Sequence, residues 1–153
     1  MHKLSLHRIP KSFRGKSKLY VQLWWLVQAI FISLSPQVFY GWRRFWLRSF
    51  GATIGKKVLI RPSVKITYPW KVSIGDYSWI GDDVVLYSLG EIEIGSNTVI
   101  SQKSYLCTGS HDYTKETFDI FVKKITVGNG CWLATDVFVA PGIDTVSYTH
   151  LTL

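Results

Sequence analysis

His111 is the residue best placed to do chemistry. It stands in Gly109-Ser110-His111-Asp112-Tyr113, while His2, His7 and His150 lie towards the two ends of the chain. An imidazole has an unperturbed pKa near neutrality, so it can take a hydroxyl proton as the oxygen attacks a carbonyl, the proton step of acyl transfer. Asp112, Glu116 and Asp119 follow closely, and spacing alone does not say which of them, if any, orients the ring. A lone loop histidine also reads as an ordinary surface residue. What singles out His111 is its place in the pattern around it. Cys107 and Cys131 form no CxxC pair and read as small semi-buried residues. One histidine in this region cannot supply a three-histidine zinc site, so no metal is expected.

The elements that must carry His111 are written as a repeat. Ile54-Gly55, Ile74-Gly75 and Ile94-Gly95 recur every twenty residues, and within each unit aliphatic residues step by six: Ile54, Ile60, Ile66; Ile74, Ile80, Leu86; Ile94, Ile100, Leu106. Val58, Val64, Ser78, Val84, Thr98 and Ser104 sit four residues after members of that series, and a last unit follows with Val127-Gly128, Leu133, Val137 and Val139. A step of six fits neither a strand nor a helix and marks an array. Three short strands joined by tight turns make one triangular coil, and stacked coils align their aliphatic residues into ladders. The expected fold is mainly β, a parallel β-helix spanning residues 51–143. Gly at the second position is expected to adopt backbone angles closed to other residues. Twenty rather than eighteen residues per coil implies a two-residue extension at one corner, at Val72-Ser73 and Ile92-Glu93.

The repeat is interrupted once. From Ile94 to Val127 is 33 residues, so a loop of about thirteen residues has been inserted within 109–124, and long excursions from a solenoid usually carry function. His111 stands at its root.

The flanks differ from the coils. Residues 1–50 hold nine Lys or Arg and no acid, and residues 51–153 hold nine against ten, so the first third supplies the whole net charge of +8. Residues 1–18 read as a basic arm and 19–50 as an apolar, then basic and aromatic, helical segment. Leu19–Leu34 would reach only about 24 Å as a helix, short of a bilayer core of about 30 Å. An interfacial helix, or one packed on the domain or a sister subunit, fits better than a span. An anionic membrane surface is the preferred partner of this basic end, and nucleic acid is not expected because no binding motif accompanies the charge. After Ile143 the hexapeptide register is lost. VSYTHL is what a common sequencing-library adaptor encodes in one frame, so residues 144–153 read as a non-native tail on a truncated chain.

The hexapeptide [LIV]-G-x-x-[STAV]-x resembles that of the left-handed β-helix of the hexapeptide acyltransferases. TGSHDY, preceded by IGSNTVISQKSYLC and followed by VGNGCWLATDVFVAPGI, resembles the exopolysaccharide O-acetyltransferases of the colanic acid biosynthesis type, and is similar to the maltose and galactoside acetyltransferases. The resemblance covers roughly residues 19–143. It implies a left-handed coil, a homotrimer, and transfer of an acetyl group from acetyl-CoA to a sugar hydroxyl with His111 as general base beside Asp112. It also implies an acetyl-CoA groove between subunits touching Trp132, Ala134, Thr135 and Ala140. The family's acceptor-binding Asn falls on Gly81 here, which leaves Asp83 and Ser88 as the acceptor candidates.

A sugar or lipid-linked oligosaccharide acceptor would account for the basic aromatic N-terminus, with the enzyme in the cytoplasm at the inner membrane face and residues 1–50 in peripheral contact. The competing expectation is a non-catalytic, trimeric, membrane-associated scaffold on the same fold.

Overall fold

The computed structural model describes residues 5, 7, 9, 13–147 and 150–151. Most of the basic arm up to residue 12, and residues 148–149 and 152–153 of the tail, lie outside the described residues.

Each coil contributes three strands of two or three residues. They are β1 (Thr53–Ile54), β2 (Leu59–Ile60) and β3 (Lys65–Ile66); β4 (Val72–Ile74), β5 (Trp79–Ile80) and β6 (Val85–Tyr87); β7 (Ile92–Ile94), β8 (Val99–Ile100) and β9 (Tyr105–Cys107). A hairpin, β10 (Gly109–His111) and β11 (Ile120–Val122), intervenes before β12 (Ile125–Val127), β13 (Trp132–Leu133), β14 (Phe138–Val139), β15 (Asp144–Thr145) and β16 (His150–Leu151). Strands one coil apart pair in parallel, giving three sheets: A (β1-β4-β7-β12-β15), B (β2-β5-β8-β13-β16) and C (β3-β6-β9-β14). Strands this short have no stability alone; coil-to-coil bonding and ladder burial hold them.

The ladders run as the six-residue step requires. Ile54, Ile74, Ile94, Val127 and Thr145 stack in sheet A, Ile60, Ile80, Ile100 and Leu133 in sheet B, and Ile66, Leu86, Leu106 and Val139 in sheet C, all buried, so the sheet A ladder runs past Ile143, where the sequence register was expected to end. The residues four further on fill the space beneath the turns. Where these are polar they are satisfied along the axis. Ser78 Oγ accepts from Thr98 N at 3.0 Å and donates to Gly95 O at 2.6 Å. Thr98 Oγ1 repeats the pattern one coil on, with Cys131 N at 3.2 Å and Gly128 O at 2.7 Å.

Two expectations about the corners are corrected. Gly55, Gly75, Gly95 and Gly128 do not take left-handed angles; the positive φ falls two residues later, on Lys57, Tyr77, Asn97 and Gly130. The glycines are required by close approach instead. A Cβ on Gly75 would stand 2.5 Å from Ser96 N of the next coil, and one on Gly95 2.6 Å from Asn129 N. The two extra residues per coil are not Val72-Ser73 and Ile92-Glu93, which are strand residues. They lie in the corner just before, where Pro69–Lys71 forms a 3-10 turn in the first coil.

The apolar N-terminal segment folds over the open end of the first coil. Ser17 caps helix α1 (Lys18–Val27) by accepting from Tyr20 N at 3.2 Å, a π-helical turn covers Gln28–Ile32, and α2 (Tyr40–Ser49) follows Pro36. Val21, Trp24 and Val27 are buried against the coils. The polar atoms of this cap bond the unpaired strand edges of coil one. Trp24 Nε1 donates to Ile66 O at 2.9 Å, Gln28 Oε1 accepts from Ile66 N at 2.7 Å, and Arg44 Nη1 donates to Val58 O at 2.8 Å. Arg48 bonds Ile54 O and Gly55 O. Arg43, fully buried, reaches Ile60 O at 2.6 Å, Ser35 Oγ, Pro36 O and Gln37 O. Three of the nine basic residues in this third therefore serve the fold.

Candidate functional site

The inserted segment is an ordered antiparallel hairpin at the corner between sheets C and A. Its register pairs Gly109 with Val122, Ser110 with Phe121 and His111 with Ile120. The root is set by Thr108, whose hydroxyl donates to Tyr87 O at 2.7 Å and accepts from Gly90 N at 2.8 Å. A Cβ at Gly109 would come 2.7 Å from Leu89 Cδ1, so the hairpin leaves the coil in contact with the corner below it.

His111 is half-buried on β10. Its Nδ1 lies 2.9 Å from the Phe118 carbonyl oxygen, which accepts only, so Nδ1 carries the proton and Nε2 presents a lone pair. The imidazole also stacks on the Phe118 ring, with centroids 4.4 Å apart and planes 6° from parallel. Phe118 holds this pose with φ +50°, an uncommon angle for a bulky residue. The His7 ring lies 5.7 Å from that of His111, and its Nδ1 is 3.4 Å from Thr117 O.

The orienting partner is therefore a backbone carbonyl rather than a neighbouring acid. Asp112 Oδ1 accepts from Thr114 N at 3.0 Å and Thr114 Oγ1 at 2.5 Å, bonds that hold its carboxyl below the usual carboxylate range, with a further pull from Lys115. Asp119 pairs with Lys115 at 3.5 Å. Both acids shape the loop.

The other sequence-chosen residues separate into two groups. Trp132, Ala134 and Thr135 lie where sheet B turns into sheet C; Trp132 is about half exposed and its Nε1 donates to Ser101 Oγ at 3.0 Å. Asp83 is exposed at the same kind of corner two coils earlier, with φ +56°. Ala140 is at the corner between sheets C and A, the corner that carries the hairpin in the preceding coil. Ser88 is fully buried, accepting from Tyr68 N at 2.8 Å and donating to Tyr68 O at 2.9 Å, so it offers no hydroxyl to a ligand. Among the described residues, no group of three or more His, Cys, Asp or Glu is placed to hold a metal ion.

A groove of about 320 Å³, not expected from the sequence, lies on the outer face of sheet B, lined by Tyr40, Leu59, Arg61, Trp79, Gly81 and Gln102 among others. Arg61 Nε bonds both carboxylate oxygens of Asp82, at 3.0 and 2.9 Å, which holds that carboxyl below its ordinary range. The signal was available: Leu59, Trp79, Val99 and Trp132 occupy outward positions where a solvated face would carry polar residues.

Stacked hexapeptide coils with a histidine-bearing excursion at one corner are the architecture of the hexapeptide-repeat acyltransferases. No protein-family model matches the chain. The protein named as colanic acid biosynthesis acetyltransferase WcaF, in Escherichia coli (strain K12), is 64% identical over 143 residues, covering 94% of this chain and 79% of that protein. The chain belongs to this WcaF family of acetyltransferases. Solved structures share the fold: galactoside acetyltransferase in complex with coenzyme A has a TM-score of 0.78 at 17% identity, covering 93% of this chain and 70% of that one. Maltose O-acetyltransferase from Clostridium difficile 630 has a TM-score of 0.74 at 17% identity, covering 92% and 84%. The fold is thus the left-handed β-helix expected from the hexapeptides.

Proposed function

We propose that this acetyltransferase moves an acetyl group from acetyl-CoA to a sugar hydroxyl in exopolysaccharide biosynthesis, with His111 as the general base. The observation that carries this is the bond from His111 Nδ1 to Phe118 O, which leaves Nε2 as the basic atom. The acceptor hydroxyl gives its proton to Nε2 as its oxygen attacks the thioester carbonyl. The tetrahedral adduct then collapses and expels the CoA thiolate, which takes the proton back from the imidazolium. The Phe118 carbonyl stabilises the imidazolium while it lasts.

Trp132, Ala134 and Thr135 are proposed to line the acetyl-CoA path, with Ala140 small beside it, and Asp83 to contact the acceptor. In one copy, Trp132 and His111 lie towards opposite edges of sheet C. A triangle side of about six residues separates them by roughly 20 Å. A homotrimer resolves this by setting the His111 corner of one subunit against the Trp132 corner of the next.

The test is His111→Ala in the full chain. Turnover of acetyl-CoA with sugar acceptors is expected to fall at least about 100-fold, with Tm and oligomeric mass unchanged. Unchanged turnover would overturn the assignment and favour the scaffold reading.

A further inference from the structure

We propose that the N-terminal end of the β-helix docks on an anionic phospholipid surface through the outer face of its helical cap. Among the described residues, eleven of the twenty-one exposed large apolar side chains fall between Leu19 and Phe45. On α1 the inward stripe Val21, Trp24 and Val27 packs on the coils, yet the outward stripe Leu19, Leu23 and Leu26, continued by Ile30 of the π-helical turn, is also apolar and exposed. A helix apolar all round calls for cover on both sides. Leu34 and Val38, each about three-quarters exposed, extend the same surface. None of the described helices is long and apolar enough to cross a membrane, and an exposed apolar face on short helices is the form that lies in a membrane interface.

Charge selects the occupant. Residues 13–75 hold eleven Lys or Arg and no acid, whereas residues 76–147 hold four against ten. Coil order follows chain order, so the molecule is polarised along the coil axis, with its positive pole at the cap. A second copy meeting the first cap to cap would bring like charges together. An anionic lipid surface is complementary to both the charge and the apolar face. Arg43, Arg44 and Arg48 are held on carbonyls of coil one. The free attraction comes from Lys16, Lys18, Lys56 and Lys57, all exposed.

Docked this way, the coil axis stands up from the membrane. His111, leaving the third coil, sits about 20 Å above the surface, allowing about 10 Å for a helix layer and about 5 Å for each of two coil steps. That height suits a sugar carried on a lipid, a point that rests on the proposed acetyl transfer; the docking itself does not.

Flotation of the full chain with vesicles tests it, at about 0.1 M salt where surface charge is still felt. Binding is expected to phosphatidylglycerol–phosphatidylethanolamine vesicles and not to phosphatidylcholine alone. Lys16→Gln with Lys18→Gln should weaken partition about 25-fold, about fivefold per charge. Leu26→Glu with Leu34→Glu should abolish it, with Tm, oligomeric mass and transfer to a soluble sugar unchanged. Absence of flotation on anionic vesicles would overturn the proposal. So would a Leu26/Leu34 variant that still floats but loses oligomeric mass, because the face would then cover a second copy. Loss of acetyl transfer with flotation intact would count against the enzymatic reading alone.

Discussion

The corner between sheets A and B is built the same way in every coil, whereas the hairpin corner of the third coil, between sheets C and A, is turned by a different physics. An ordinary corner is held from the neighbouring coil. Glycine lets the next backbone approach within contact, and the residue two places on takes φ near +55° to close the turn. The hairpin corner is held mainly from within. Its register, the Asp112–Thr114 bonds and the His111–Phe118 stack are all local. Elements held by stacking cannot vary without disturbing the coil above them. An element rooted at Thr108 and Gly109, outside the stack of coils, can carry specialised side chains at little cost to the fold. Stability should therefore concentrate at the regular corners and chemistry at the interrupted one.

Three substitutions sharpen or break that contrast. Gly95→Ala forces a Cβ against Asn129 and should cost about 3 kcal/mol in denaturant unfolding; a loss below about 1 kcal/mol would show that the coils can part, and would weaken the contrast. Phe118→Ala removes the ring under His111 while leaving its carbonyl. Here kcat is expected to fall about tenfold with KM and unfolding midpoint nearly unchanged, and Phe118→Tyr should restore it. A matching fall in stability would mean that Phe118 is a fold residue. Asp112→Ala should matter least: steady-state rates within about threefold of the parent and an unshifted pH–rate profile, since the ring is oriented by Phe118 O. A displaced profile would return Asp112 to the catalytic unit.

Legibility in the sequence followed the same division. Ile54, Ile60 and Ile66 and their successors revealed the coil because an inward position in a triangular prism recurs at a fixed interval and tolerates only aliphatic bulk. The interruption at 109–124 was legible as a break in that interval, and with it His111. The hairpin's partner for the imidazole was not. Asp112 is adjacent in sequence, but successive residues of a strand point to opposite faces, whereas Phe118 reaches His111 across the hairpin. Ser88 looked available as a hydroxyl until the coil below supplied Tyr68 as its partner on both sides. The arginines of the N-terminal third read as free charge because composition cannot show a carbonyl edge; Arg43, Arg44 and Arg48 are engaged on the first coil.

Periodicity, charge order and residue type together determined that this chain coils, where the coil breaks and that a histidine stands at the break, because each of these follows from local side-chain chemistry read along one axis. Only the folded structure decided why the corner glycines are required, which atom fixes the histidine tautomer and which arginines are held on the first coil. Those depend on contacts between neighbouring coils, between the cap and the first coil, or across a hairpin, brought together by packing that no local pattern encodes.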